Sequence, residues 1–311
     1  MWDHKDVRKS MYEISSRSLR GGLAMFEKIL LISSDLSANA VLPMQSIKAL
    51  RKLGAGEVLL LQCQPVFDID ETTIAYLGNQ FEKALYNQKN ALQEAGFAVE
   101  AKVVFGLTRA EATRIACEEN CSLIAAGAVR QSWLGGLLYG NVAYEIIFSK
   151  SLPVLVIRLP DEEEKTLPGH QLLDHVLFPT DFSENAAAAF AYLKEMAGWC
   201  GKITLFHTQD KARFSPDKLS NLDEFNEKDH ARLTALRTEL IAADTHNIDI
   251  TLTIGSPIEE ILHFVKDQSV SLVIMGCQGR GLLKDVLLGS VSQNIARNSL
   301  ASVMLIPPAE Q

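Results

Sequence analysis

The chain has 311 residues, 47% of them apolar and 22% charged, enough for two domains of about 150 residues and too apolar for a disordered or fibrous chain. Thirty basic residues stand against 38 acidic ones, a formal charge of −8, which excludes the basic footprint that nucleic acid or an anionic membrane demands. The apolar runs are short, the longest being the eight residues Ala186–Leu193, far short of the roughly 20 residues that span a bilayer.

In chain order, residues 1–24 alternate charges with Met11, Tyr12 and Ile14 and lack the continuous apolar core of a secretory signal, so a cytoplasmic chain with a dispensable leader is expected. The first domain is expected over 25–159, opening on the strand Ile29–Ile32 before Asp35 and Ser37. Thr108 and Glu111 have the spacing of a capping box. Leu123–Ala126 and Val154–Ile157 read as further buried strands. Residues 160–173, proline-flanked and acidic, read as a linker. The second domain, 174–311, offers short apolar runs at Val176–Phe178, Ile203–Phe206, Leu272–Met275 and Val303–Ile306. Ile248, Ile250, Leu252 and Ile254 alternate with polar residues, the pattern of an edge strand with a wetter face. Ser256-Pro257-Ile258-Glu259 marks a helix start, with Ile258, Ile261, Leu262 and Val265 on its apolar stripe.

The two halves repeat each other. Ser122–Gly127 returns 149 residues later as Ser271–Gly276, Gly106 as Gly255, Gly140 as Gly289, and Val154–Ile157 as Val303–Ile306. The segment from Ile29 to Ser37 answers to Val176–Ser183, with Asp35 and Ser37 returning as Asp181 and Ser183 at an offset of 146, so the second half carries a short insertion, placed near Asp217–Asp229. Strand and helix alternate in both halves. The expected fold is therefore α/β: two tandem doubly wound domains, each a mostly parallel five-stranded sheet of Rossmann-like order 3-2-1-4-5 with helices on both faces.

In such a sheet a ligand binds beyond the carboxyl ends of the strands where the order reverses. In the second half that point gathers Pro179-Thr180-Asp181-Phe182-Ser183 after the first strand, and Gly276-Cys277-Gln278-Gly279-Arg280-Gly281 and Gly289-Ser290-Val291-Ser292 after the fourth. Glycines leave backbone N–H groups open to an anion, and a helix starting near Ser290 adds unpaired N–H groups and its dipole. Each piece also has a plainer reading: Gly276 as a strand end, Gly281 as a turn, Ser290 as a cap, and Asp181 as a cap in competition with Ser183. Five cysteines without a CxxC pair fit a reducing compartment. Cys117, Cys121 and Cys277 read better as small apolar side chains than as ligands or redox sensors. The seven histidines form no HxH or HxxxH pair, so no metal site is expected.

The spacing Gly276-x2-Gly279-x9-Gly289-Ser290, with Met275 before it and Arg280 within, resembles the ATP-binding signature of the universal stress protein family, and the repeat resembles its tandem members. The resemblance implies that Asp181 lies by the adenosine, that the Thr208 backbone meets the adenine, and that Gly276, Gly279, Gly289, Ser290 and the Val291 and Ser292 amides hold phosphates; Thr180 and Arg280 complete the candidate set. It implies ATP as the ligand, with room for Mg2+. It also implies a pseudo-dimer of the two halves through their last strands, with a further homodimer left open. In the first half Gly279 becomes Arg130 and Ser290 becomes Asn141, and Trp133 and Gly135-Gly136 alter the loop, although Asp35 persists. Loss of ordinary ATP binding is expected there.

Three functions survive: an ATP-binding stress or regulatory module, a slow ATPase or phosphotransfer enzyme, and a nucleotide-free scaffold for another ligand or protein. No Gly-x4-Gly-Lys-[Ser/Thr] loop occurs. Only Arg280, Lys284 and Asp285 stand near the glycine loop as groups to handle a transferring phosphoryl. Binding, with at most weak hydrolysis and no assigned catalytic residue, is the favoured reading.

Overall fold

The computed structural model describes residues 25–33, 44–64, 83, 85–105, 108–128, 142–148, 152–159, 171–210, 222–243, 245–279 and 288–308. The chain divides into two compact units, the first reaching Thr166 and the second beginning at Leu167.

The first unit runs β1 (Lys28–Ile32), α1 (Met44–Leu50), β2 (Glu57–Gln64), α2 (85–94), β3 (Ala98–Phe105), α3 (Thr108–Glu118), β4 (Leu123–Ala128), α4 (Val142–Ile146) and β5 (Val154–Arg158). Its strands pair in parallel in the order β3-β2-β1-β4-β5. The second unit repeats the plan with β6 (His175–Pro179), α5 (Glu184–Met196), β7 (Lys202–Asp210), α6 (Leu222–Ala242), β8 (Ile248–Gly255), α7 (Pro257–Asp267), β9 (Leu272–Gly276), α8 (Ser290–Asn298) and β10 (Ser302–Ile306). Its parallel order is β8-β7-β6-β9-β10. Both units thus have the 3-2-1-4-5 order, which reverses between the first and fourth strands.

The central strands are apolar runs because both faces are covered: every residue of β6 and β9 is buried. The side-chain alternation of β7 assigns the helices to faces. Phe206 meets Phe264 of α7 with ring centroids 5.1 Å apart, while its neighbour His207 meets Asp229 of α6. Phe178, on the His207 face by register, packs against Phe190 of α5 at 5.6 Å. Helices α5 and α6 therefore share one face and α7 the other.

Local signals explain the helix starts unevenly. The Ser183 hydroxyl accepts from the Ala186 N–H at 3.2 Å, so Ser183 caps α5, and the alanine-rich run behind it buries Ala186, Ala189, Phe190, Leu193 and Met196. Ser256 stands at the N-cap of α7 with Pro257 behind it, yet its side chain makes no capping bond and Glu259 is exposed, so the expected box is not formed. Glu111 turns to Arg114, 2.7 Å away, and Thr108 is itself the first residue of α3. On α7 Ile261 and Val265 are buried, with Ile258 and Leu262 half-buried. β8 is an edge strand as its alternation suggests, but Ile254 is exposed and Ile250 and Leu252 are only half-buried. Part of the segment assigned to the insertion belongs to α6, a helix of 21 residues. No helix among the described residues is long and apolar enough to cross a membrane.

Candidate functional site

The reversal of strand order in the second unit brings the loop after β6 beside the loop after β9. β6 ends at Pro179, and the buried Thr180 donates its N–H to Phe206 O at 2.9 Å. Two side chains then shape a tight turn. Thr180 Oγ1 accepts from the Phe182 N–H at 3.0 Å, and Asp181 Oδ1 accepts from the Ser183 N–H at 3.0 Å. Phe182 sits at φ 57°, a left-handed conformation that costs a bulky residue roughly 1–3 kcal/mol unless its surroundings hold it.

Those surroundings come from β7 and α6. The Phe182 ring lies 4.7 Å from the His207 ring, and the Arg232 guanidinium stands 4.8 Å from the Phe182 centroid. His207 Nδ1 lies 2.7 Å from Thr180 O and its Nε2 lies 3.4 Å from Asp229 Oδ2. Asp229 also accepts from Gln209 Nε2 at 3.1 Å and pairs with Arg232 at 3.5 Å. β7 continues to Asp210, beyond the last β6 pair, Pro179 opposite Phe206. In a parallel ladder a residue directs both backbone groups to one neighbour, and alternate residues face alternate neighbours. Phe206 faces β6, and so does Thr208, at a level past the end of β6. The Thr208 hydroxyl accepts from Thr253 Oγ1 at 3.1 Å.

On the other side of the crevice β9 ends at Gly276. A Cβ there would stand 2.7 Å from Asn185 O, so the missing side chain is accounted for by the first turn of α5. At Gly279 a Cβ would stand 3.1 Å from Asp181 Oδ2, which ties this loop to the Asp181 turn across the crevice. The Cys277 N–H donates to Ile306 O at 2.9 Å, and the Gly289 N–H returns to Cys277 O at 2.8 Å. Cys277 is buried, the setting of a small apolar side chain. Gly289, not Ser290, is the N-cap of α8, and as a glycine it has no side chain with which to cap the helix. Ser290 is exposed at the first helical position, Val291 follows it, and the Ser292 hydroxyl donates to Gly276 O at 3.0 Å. The first N–H groups of α8 thus receive no bond from the side chain of their own N-cap residue, and a helix start of this kind favours an anion.

The structure brings together Thr180, Asp181, Gly276, Gly279, Gly289, Ser290, Val291 and Ser292, with the Thr208 backbone along the neighbouring strand. Arg280 and the rest of 280–287 lie outside the described residues. Sequence reasoning missed Asn185, Asp229 and Arg232, and placed Phe182 in the loop without its left-handed conformation; the pairing of Asp229 with Arg232 three residues on is a common helix-surface pattern and carried no signal of its own. In the first unit the Ser33 N–H donates to Leu61 O at 2.8 Å, as Thr180 does to Phe206. Gly127 differs from Gly276: among the described residues the atoms nearest its Cβ would belong to the Leu159 side chain, the first at 3.1 Å. Asp35, Arg130, Trp133, Gly135, Gly136, Gly140 and Asn141 lie outside the described residues, as does the leader 1–24.

Comparison with known proteins agrees with the repeat. The model of the Universal stress protein family matches residues 25–158 and again 173–307. A universal stress protein of Archaeoglobus fulgidus has a similar structure, with TM-score 0.67 and 21% identity over 91% of this chain and 97% of that one. A universal stress protein from Pseudomonas aeruginosa, itself assigned provisionally, follows at TM-score 0.59 and 15% identity, covering 94% and 95%. In sequence, Universal stress protein MJ0577 of Methanocaldococcus jannaschii is 28% identical over 151 residues, 42% of this chain and 93% of that protein.

Proposed function

The chain belongs to the universal stress protein family in both of its halves, and from that premise we propose that it is a stress-response module that binds ATP once, in its second half. The observation that carries this reading is the meeting of two distant loops at one point. Asp181 Oδ2 lies 3.1 Å from the place a Gly279 side chain would occupy, leaving a cradle of bare backbone that a Cβ would fill. Asp181 would take the ribose hydroxyls as an acceptor. The Thr208 amide and carbonyl, facing the side β6 has left, supply a donor and an acceptor for a flat base. The Gly279 backbone and the start of α8 at Gly289, Ser290, Val291 and Ser292 would receive the phosphates. Gly276 would act at one remove, since Asn185 fills its open side.

The first half has arginine at 130 where the repeat places glycine at 279. A side chain at that place in the second half enters the space beside Asp181. Titration calorimetry with ATP, with and without Mg2+, should therefore give one site per chain, and Gly279→Arg should weaken it by at least ~2 kcal/mol, since one charge-assisted hydrogen bond alone contributes about 1.5–3. Two equal sites, or undiminished binding by Gly279→Arg, would overturn the proposal. Phosphate release measured on the same samples separates binding from turnover.

A further inference from the structure

The Asp181 turn is held by groups from another part of the chain. Between Thr180 and Ser183 the backbone passes through the left-handed Phe182, a conformation that its own covalent structure disfavours. Phe182 lies outside the candidate set, yet two side chains converge on its ring, and one of them also reaches the Thr180–Asp181 peptide. The His207 ring packs on one part of the Phe182 ring at 4.7 Å and reaches Thr180 O at 2.7 Å with Nδ1. The Arg232 cation stands 4.8 Å from the ring centroid. Asp229 touches both His207 and Arg232, at 3.4 and 3.5 Å, and so fixes their spacing. Arg232 is about half exposed, with 44% of its side chain accessible, and removing it opens no hole in the core.

We infer that Arg232, Asp229 and His207 are positioning residues that hold the Phe182 turn so that Asp181 presents its carboxylate toward Gly279. The inference rests on the nucleotide reading of that site and extends it to α6, a helix with no residue in the candidate set. The ion pair sets the guanidinium, the guanidinium and imidazole hold the aromatic ring, and the ring fixes the left-handed residue next to Asp181. A cation over an aromatic ring at a half-exposed place changes an equilibrium by about three- to tenfold, so the loss of Arg232 is expected to weaken ATP binding by that factor.

The test uses the full chain. Arg232→Ala should weaken ATP binding three- to tenfold by calorimetry without lowering the thermal midpoint, and it should speed amide exchange at Phe182 and Ser183, whose N–H groups are bound to Thr180 Oγ1 and Asp181 Oδ1. Arg232→Lys, which keeps a cation over the ring, should restore most of the affinity, and Asp229→Asn should repeat the loss. In an Asp181→Ala background, Arg232→Ala should have no further effect on binding. Parent protein that binds ATP while Arg232→Ala and Asp229→Asn bind as tightly, or exchange unchanged at Phe182 and Ser183, overturns the positioning role and leaves the nucleotide reading standing. Parent protein that binds no ATP overturns both.

Discussion

The end of β9 offers a direct measurement of how closely strand and helix approach beside the site. In Gly276→Ala the new Cβ would stand 2.7 Å from Asn185 O and 2.9 Å from its carbonyl carbon. Non-bonded carbon contacts settle near about 3.5–4.0 Å, so the strand end and the first turn of α5 must part by roughly half an ångström or more. Both partners are backbone in regular elements, with no rotamer to swing aside. Overpacking of this kind costs ~1–3 kcal/mol, and the lost chain freedom of the unfolded alanine chain offsets ~0.4–1 of it. A net loss of about 1–2 kcal/mol is expected in urea unfolding. Gly127→Ala is the control at the equivalent place of the repeat: there a Cβ meets Leu159 Cδ1 at 3.1 Å, a methyl at the end of a rotatable side chain, and a change within about 0.5 kcal/mol is expected. If Gly276→Ala is as stable as the parent, or Gly127→Ala loses as much, the close approach of α5 is not what reserves position 276 for glycine.

Two further outcomes follow from buried titratable groups. His175 is buried with Nδ1 3.1 Å from Gln268 O and Nε2 2.9 Å from Thr204 Oγ1, and desolvation lowers its pKa, partly countered by the backbone bond. The folded state therefore resists protonation: its stability contribution is full above the unfolded value of 6.5 and declines as pH falls from there through the lowered folded value, a slope that should shrink in His175→Gln when unfolding is measured against pH. Burial pushes the thiols of Cys63, Cys121 and Cys200 up to about 12, so a disulfide reagent at pH 8 should label them slowly in native protein and at once in denaturant; fast native labelling would refute this.

What the residues disclosed in advance was whatever is local or periodic. Parallel strands covered on both faces read as short apolar runs, and the recurrence of Gly127 as Gly276 and Gly140 as Gly289 fixed the tandem plan. The Ser183 cap was legible because its partner, Ala186, is three residues away. Contacts between remote segments were not. Asn185 and Gly276 are neighbours only after β9 is laid beside β6, so the reason for that glycine was invisible. Arg232 and Phe182 are 50 residues apart, and Arg232 stands among charged residues that suggest a solvated helix face. Ser256 shows the opposite failure: the spacing of a capping box is present, and the bond is not.

The two amide bonds at Cys277 have an architectural consequence. The Cys277 N–H is pinned to β10 at Ile306 O, and its carbonyl receives the Gly289 N–H, so two residues twelve positions apart are held side by side at the end of β9. Strand β9 and helix α8 are thereby registered to each other by bonds that none of the residues 278–288 supplies, with the Ser292 hydroxyl on Gly276 O as a third rivet. The cost of closing a loop over fixed ends rises by only about 0.6 kcal/mol per doubling of its length. Between Cys277 and Gly289 length and sequence can therefore change at small cost while strand β9 and helix α8 keep their register.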